Sequence, residues 1–151
     1  MLNGFVTKPG ILYWVSGLFL WALLGATAFA QEIRTVAGDG TFGFAGDGGQ
    51  STFAHIADPV GVFTDSLGNL YVADTNNRRI RKIDTSGIIT TISGNGNFGF
   101  AGDGGQAIDA SLADPTGVFV DGQGNVYIAD TNNQRIRKVN GAGVITTIAG
   151  D

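Results

Sequence analysis

A chain of 151 residues has room for one ordinary domain, and 43% hydrophobic with 15% charged content excludes both a disordered polymer and a multi-span membrane bundle. A net charge of −4 argues against nucleic acid as a partner, because an acidic chain gains nothing from the counterion release that drives such binding. With no cysteine there is no disulfide framework, no thiolate metal site and no thiol nucleophile.

The first predicted element is a leader. Residues 11–30 carry no charge, Lys8 precedes them, and Ala28-Phe29-Ala30 closes the stretch before Gln31. A positive start, an apolar helix and small residues at the last and third-last positions make residues 1–30 a signal peptide, cleaved after Ala30. About twenty apolar residues also suffice to span a bilayer, so a retained anchor is the alternative. Either way the remainder lies outside the cytoplasm: secreted, periplasmic or on the cell surface, and membrane-anchored if the leader stays.

The remainder is a repeat. Ile33-Arg-Thr-Val-Ala-Gly38 returns as Ile89-Thr-Thr-Ile-Ser-Gly94 and as Ile145-Thr-Thr-Ile-Ala-Gly150, at equal spacing and without a gap. Residues 42–50 return unchanged at 98–106. The chain thus holds two units, 33–88 and 89–144, and the opening of a third. Each unit contains four short runs rich in β-branched and aromatic residues, separated by Gly, Asn, Asp and Ser. In the first unit these strands are expected at 61–65, 70–74, 79–83 and 88–93, and in the second at 117–121, 126–130, 135–139 and 144–149. Turns this short join only antiparallel neighbours, so each unit is a four-stranded meander. Ile80 and Ile83 stand three apart, which predicts a bulge in the third strand. A four-stranded meander at this period is a propeller blade, and the fold class is all-β. The expected layout is a lone strand with a glycine-rich loop over 31–60, one blade over 61–93, a connecting loop over 94–116 and a second blade over 117–149.

The run from Pro59-Val-Gly-Val through Gly68-Asn-Leu-Tyr-Val-Ala-Asp74 to Asn77-Arg-Arg-Ile-Arg-Lys-Ile83 resembles the NHL repeat. Its partner from Pro115 through Gly124-Asn-Val-Tyr-Ile-Ala-Asp130 to Asn133-Gln-Arg-Ile-Arg-Lys-Val139 resembles it equally. The intervening Gly-Phe-Ala-Gly-Asp-Gly-Gly loop is similar to the long-repeat bacterial and teneurin-type subgroup. This resemblance implies part of a six-bladed propeller used as a binding platform.

Residues present at the same place in both units are expected to maintain the unit, since a catalytic group is needed once. Asp74, Asn77 and Arg79, with Asp130, Asn133 and Arg135, form this structural motif. Asp74 is expected to cap the turn after the second strand by accepting its backbone N–H groups, with Arg79 a candidate for a buried bridge to that carboxylate. Residues 39–47 superficially resemble a calcium loop but lack the alternating acids and the closing Glu that a hard cation needs. Phe42 and Phe44, with Phe98 and Phe100, are expected to pin the glycine-rich loops onto the sheets. The basic run Arg78, Arg79, Arg81 and Lys82 is expected to be a solvated strand rather than a nucleic-acid site. His55 is the single histidine, and no Gly-x-Ser-x-Gly elbow is present. The metal-binding His set of NHL-containing lyases and the Glu ligands of six-bladed lactonases are unmatched, so no enzyme, metal or cofactor is expected. Ligand contact falls instead to positions that differ between units, for example Arg34, Thr41, Phe53, His55 and Arg78 against Thr90, Asn97, Asp109, Ser111 and Gln134. The expected partner is a protein or glycan. The alternative is that these blades form the propeller of a larger exported enzyme or sensor receptor.

Each blade presents an apolar face to its neighbour, and a pair leaves two faces open. At about 400 Å² per face and roughly 25 cal/mol/Å², each open face forgoes about 10 kcal/mol, comparable to a domain's whole net stability. Further blades in a longer chain, or three copies in a cyclic ring, are the expected remedies.

Overall fold

The computed structural model describes residues 32–151, so the expected leader lies outside the described residues. Eight strands follow in order: β1 (Pro59–Thr64), β2 (Leu70–Asp74), β3 (Arg79–Ile83), β4 (Ile89–Ser93), β5 (Pro115–Val120), β6 (Val126–Asp130), β7 (Arg135–Val139) and β8 (Ile145–Ala149). They form two four-stranded antiparallel sheets, β1-β2-β3-β4 and β5-β6-β7-β8. These are the two expected blades.

The turns follow from their residues. Asp65 accepts the backbone N–H groups of Leu67 and Asn69, the Asn69 amide and the Tyr71 hydroxyl, and so closes the β1–β2 turn. Asp121 does the same between β5 and β6, and the hydrogen bond from the Asn125 side chain leads in holding its pKa down to about 2. Burial and the Asp65 carboxylate push the Tyr71 hydroxyl up to about 12.

The expected bulge exists, but on the other strand. Ile80 pairs with Ser93 and Arg81 with Thr91, which leaves Ile92 of β4 as the extra residue. Ile80 and Ile83 lie in different hydrophobic clusters, one on each face of the sheet. A blade buried on both faces needs no strict alternation, so their spacing carried no information about a bulge.

The glycine-rich loop wraps the blade that follows it. Gly48 N–H donates to Ile89 O at 2.8 Å, Ile89 N–H to Gly49 O at 3.0 Å and Ser51 N–H to Gly87 O at 2.8 Å. The outer edge of β4 is therefore paired, and the second loop treats β8 alike through Gly104, Gly105 and Ala107. Covering an edge removes a template for chance association. Gly48 and Gly104 both take φ of +81°, where a side chain would be strained.

The main core lies between the blades. Tyr71, Ala73 and Ile80 of the first pack with Leu112, Val120, Val126 and Ile128 of the second. β1 runs close against β5: a Cβ built on Gly61 would stand 2.5 Å from Thr116 O and 3.1 Å from Gly117 Cα. Its twin Gly117 would meet only the Ala129 Cβ, at 3.4 Å. Gly61→Ala is therefore expected to cost about 1–3 kcal/mol and Gly117→Ala well under that. Urea melts of the two variants check this, and equal midpoints would contradict the close approach of the two strands.

Equivalent residues measure the open faces directly. On the back of the first blade Ile80 is 0% exposed, whereas its twin Ile136 is 39% exposed. On the front, Pro115 of the second blade is fully buried but Pro59 is exposed. Residues 33–38 have no sheet partner among the described residues. Gly38 N–H donates to Ser51 O at 2.9 Å and Asp39 N–H to Ala54 O at 3.0 Å, matching Gly94 to Ala107 and Asn95 to Ala110. The segment thus stands before the first blade where the exit of β4 stands before the second.

Candidate binding rim

In each meander the β2–β3 turn, the entry to β1 and the exit of β4 lie at one end of the sheet, because Pro59 pairs with Asp74 and Ser93 with Ile80. Gly43 and Ala57 of the long glycine-rich loop reach this end, at Asn77 and at Asp74 and Asn76, and it constitutes the rim.

Beneath the rim lies a buried ionic chain. Arg81 and Asp74 are both 0% exposed and pair at 3.1 Å, from Arg81 Nη1 to Asp74 Oδ2. Arg81 Nη2 lies 2.6 Å from Asp47 Oδ1, and the other oxygen of Asp47 accepts the Thr91 N–H at 3.1 Å. The Asn77 amide donates to Asp74 at 2.8 Å and to Gly43 O at 2.6 Å. One guanidinium therefore ties the end of β2, the loop and β4 together. The second blade repeats this with Arg137, Asp130, Asp103, Thr147 and Asn133. Each buried charge has a partner and several hydrogen bonds, which is the condition for tolerating it at all.

Three expectations need correcting. The bridge to Asp74 comes from Arg81, not Arg79, whose guanidinium reaches the carbonyl oxygens of Asn77 and Asn95 instead. Asp74 Oδ1 accepts the Ala57 N–H at 2.8 Å, and its side chain caps no N–H of the 3₁₀ turn Thr75–Asn77. The basic run is not a solvated strand throughout, since Arg81 and Arg137 are fully buried.

Arg79 has a different task. Its guanidinium donates to Asn77 O at 2.8 Å and to Asn95 O at 2.9 Å, so it links the first blade to the next loop. The Phe44 ring lies 3.7 Å from Arg79 Cζ and 4.8 Å from Arg81 Cζ, and Phe100 meets Arg135 and Arg137 at 3.9 and 4.7 Å. Arg135 also donates to Asn133 O at 3.1 Å. Phe44 and Phe100 thus pin the loops, through cation–π contacts. Phe42 is 69% exposed and has no ring contact among the described residues, whereas Phe98 meets Arg78 at 5.5 Å in a contact of the same kind.

Of the candidate contact positions, Arg78 and Gln134 lie on this rim, and the turns at the far end differ between units too, as at Leu67 and Gln123 or Asp84 and Asn140. His55 Nε2 lies 3.4 Å from Asp39 Oδ2, and in the second unit Ser111 stands at the same distance from the Asn95 amide. The two members of this contact change together. The Thr41 backbone N–H, followed by burial as an opposing influence, leads in setting the Asp39 carboxyl, which lies below its usual range. Phe53 and Asp109 are exposed in the short 3₁₀ turns Ser51–Phe53 and Ala107–Asp109, and the Asp109 carbonyl accepts the Asn95 amide at 2.8 Å. Arg78 and Gln134 follow the β2–β3 and β6–β7 turns in left-handed conformation, with φ of 54° and 56°. Arg34 is exposed on the segment before the first blade, and Thr90 on outer strand β4.

Residues 39–101 and 96–151 match the family described as the Teneurin NHL domain. The chain belongs to this NHL family. Relatives include teneurin-1 of Gallus gallus, 37% identical over 54% of this chain, and teneurin-3 of Mus musculus, 36% identical over 65%. Another is the protein Suppressor of quenching 1, chloroplastic, of Arabidopsis thaliana, 31% identical over 65% of this chain. This chain spans 3%, 4% and 9% of those three relatives respectively. Among solved structures, an auxiliary nutrient binding protein from Bacteroides thetaiotaomicron superimposes with TM-score 0.55 and 26% identity, covering 74% of this chain and 28% of that one. A protein of the same description from Bacteroides ovatus, at 21% identity and TM-score 0.51 over 71% of this chain and 27% of that one, shares the fold.

Within this NHL pair the sequence pointed to the right turn, Asp74 to Asn77, and to the wrong arginine. Two arginines two apart on one strand share a face, and nothing local separates the one at the strand end from the one at its centre. The coupling of Asp39 with His55 also escaped the reading. Its signal was present: positions 39 and 55 both differ from their repeat partners, 95 and 111.

Proposed function

We propose that this chain is an exported, non-catalytic binding scaffold whose loop-side rim holds a protein or glycan ligand. One observation carries the reading: the recurring acids and arginines are consumed internally, in the Asp47–Arg81–Asp74 chain and its twin Asp103–Arg137–Asp130. Groups locked in buried pairs are unavailable for proton transfer, and variable exposed loop residues on a rigid sheet suit recognition. The teneurin relatives and the nutrient-binding neighbour support a binding role. The leader sequence supports export.

The two open faces are places for further blades of the same kind. A longer chain accommodates this more simply than three copies in a ring. In a ring of copies, residues 145–150 of one chain and residues 33–38 of the next would compete for one position before the first blade, since they are repeats of each other.

The test uses the full chain expressed in a bacterial host. It is expected outside the cytoplasm, and to bind a glycan or surface protein without altering it, as judged by chromatography of the ligand after incubation. Cytoplasmic retention overturns export, and conversion of the ligand overturns the non-catalytic role.

A further inference from the structure

Arg78 stands apart from the other arginines near the rim. Arg79, Arg81, Arg135 and Arg137 all donate hydrogen bonds, whereas among the described residues Arg78 has no hydrogen bond or ion pair from its side chain. Its Nε is buried without a partner. Its Cζ lies 5.5 Å from the centre of the Phe98 ring, which comes from the loop of the neighbouring blade and is 60% exposed. Asn97, next to Phe98, is exposed; its backbone N–H donates to the Asn95 side chain, and its own amide has no partner among the described residues. The seam between the blades thus offers a half-buried cation, an aromatic ring and an amide.

The fold does not require that cation. Gln134 occupies the equivalent position in the second blade with the same left-handed backbone. The Arg78 Nε is buried without an acceptor and the Phe98 ring gives the guanidinium a cation–π contact alone, so an anion here would add charge-assisted hydrogen bonds that the described residues leave unmade.

The geometry points to a subsite for a carboxylate-bearing sugar, a uronate, at Arg78, Asn97 and Phe98. It rests on the rim reading above and names the ligand class for it. The guanidinium, over one face of the ring, pairs with the carboxylate, the exposed remainder of the ring supports the pyranose, and the amide bonds a hydroxyl. A polyanionic peptide fits less well, because the chain is itself acidic at −4 and supplies one unpaired guanidinium here. One carboxylate on an otherwise neutral, hydroxyl-bearing ring matches the three groups in number and kind.

The test is a titration of the full chain, followed by NMR, with methyl β-D-glucuronide, methyl β-D-glucoside and N-acetylglutamate amide. The glucuronide is expected to bind at about millimolar strength, as befits a ligand of this size. The glucoside is expected to bind at least about tenfold more weakly, as loss of a charged hydrogen bond implies. Arg78→Gln is expected to remove that preference while leaving the folded spectrum intact, as the natural glutamine at 134 indicates. Phe98→Ala is expected to weaken both sugars. Equal binding of glucuronide and glucoside, undiminished glucuronide binding in Arg78→Gln, or stronger binding of the glutamate amide overturns the proposal. None of those results bears on whether the rim binds other ligands, whereas conversion of the glucuronide would sink the scaffold reading instead.

Discussion

Arg81→Met is expected to destabilise the chain by about 3–5 kcal/mol, the usual cost of stripping the partner from a buried charge. Asp74 would remain at 0% exposure with only the Asn77 amide and the Ala57 N–H to satisfy it. The loop would also lose one of its ties to the sheet, the Asp47–Arg81 pair, while keeping its hydrogen bonds to β4. Arg79→Met removes hydrogen bonds to two carbonyl oxygens at a half-buried site and is expected to cost about 1–2 kcal/mol. Urea denaturation followed by circular dichroism separates the two variants if the slopes agree. An Arg81→Met midpoint equal to that of Arg79→Met would mean that the ionic chain does not hold the blade.

Ile80→Ala carries the second large effect. Ile80 is 0% exposed in the core between the blades, and truncating such a side chain costs about 2–5 kcal/mol through lost transfer energy and the cavity left behind. Ile136 has the same neighbours in sequence but is 39% exposed, so Ile136→Ala is expected to cost under about 1 kcal/mol in the chain as described. The pair is informative because the two sites differ mainly in what covers them. A loss at Ile136 as large as that at Ile80 would show that another blade, or another copy, lies on the back of the second sheet. Thermal or urea melts at two protein concentrations distinguish those cases, since cover from another copy depends on concentration.

The first expectation contrasts two arginines of one strand, and the second two isoleucines on equivalent strands. Such contrasts explain how far local sequence reaches in this molecule. The strand at residues 79–83 was legible because Arg-Ile-Arg-Lys-Ile lies between turn-forming residues and recurs as Arg-Ile-Arg-Lys-Val. Its central arginine was not legible as buried, because burial of Arg81 depends on Asp47, thirty-four positions earlier, arriving beside it. Likewise the glycine-rich loop appeared as a connector between blades. Its hydrogen bonds to β4 join residues about forty apart, and no local pattern in Asp47-Gly-Gly-Gln50 specifies them.

Sequence alone determined the repeat, the four strands of each unit, their turns and the NHL family, since strand patterning and turn chemistry act over a few residues and are written twice. Only the tertiary structure decided which arginine is buried, which strand is bulged, how the loop seals the outer edge and which arginine stays unpaired at the seam. Those outcomes depend on distant segments meeting: a guanidinium is solvated or buried, paired or free, according to what the rest of the chain brings to it.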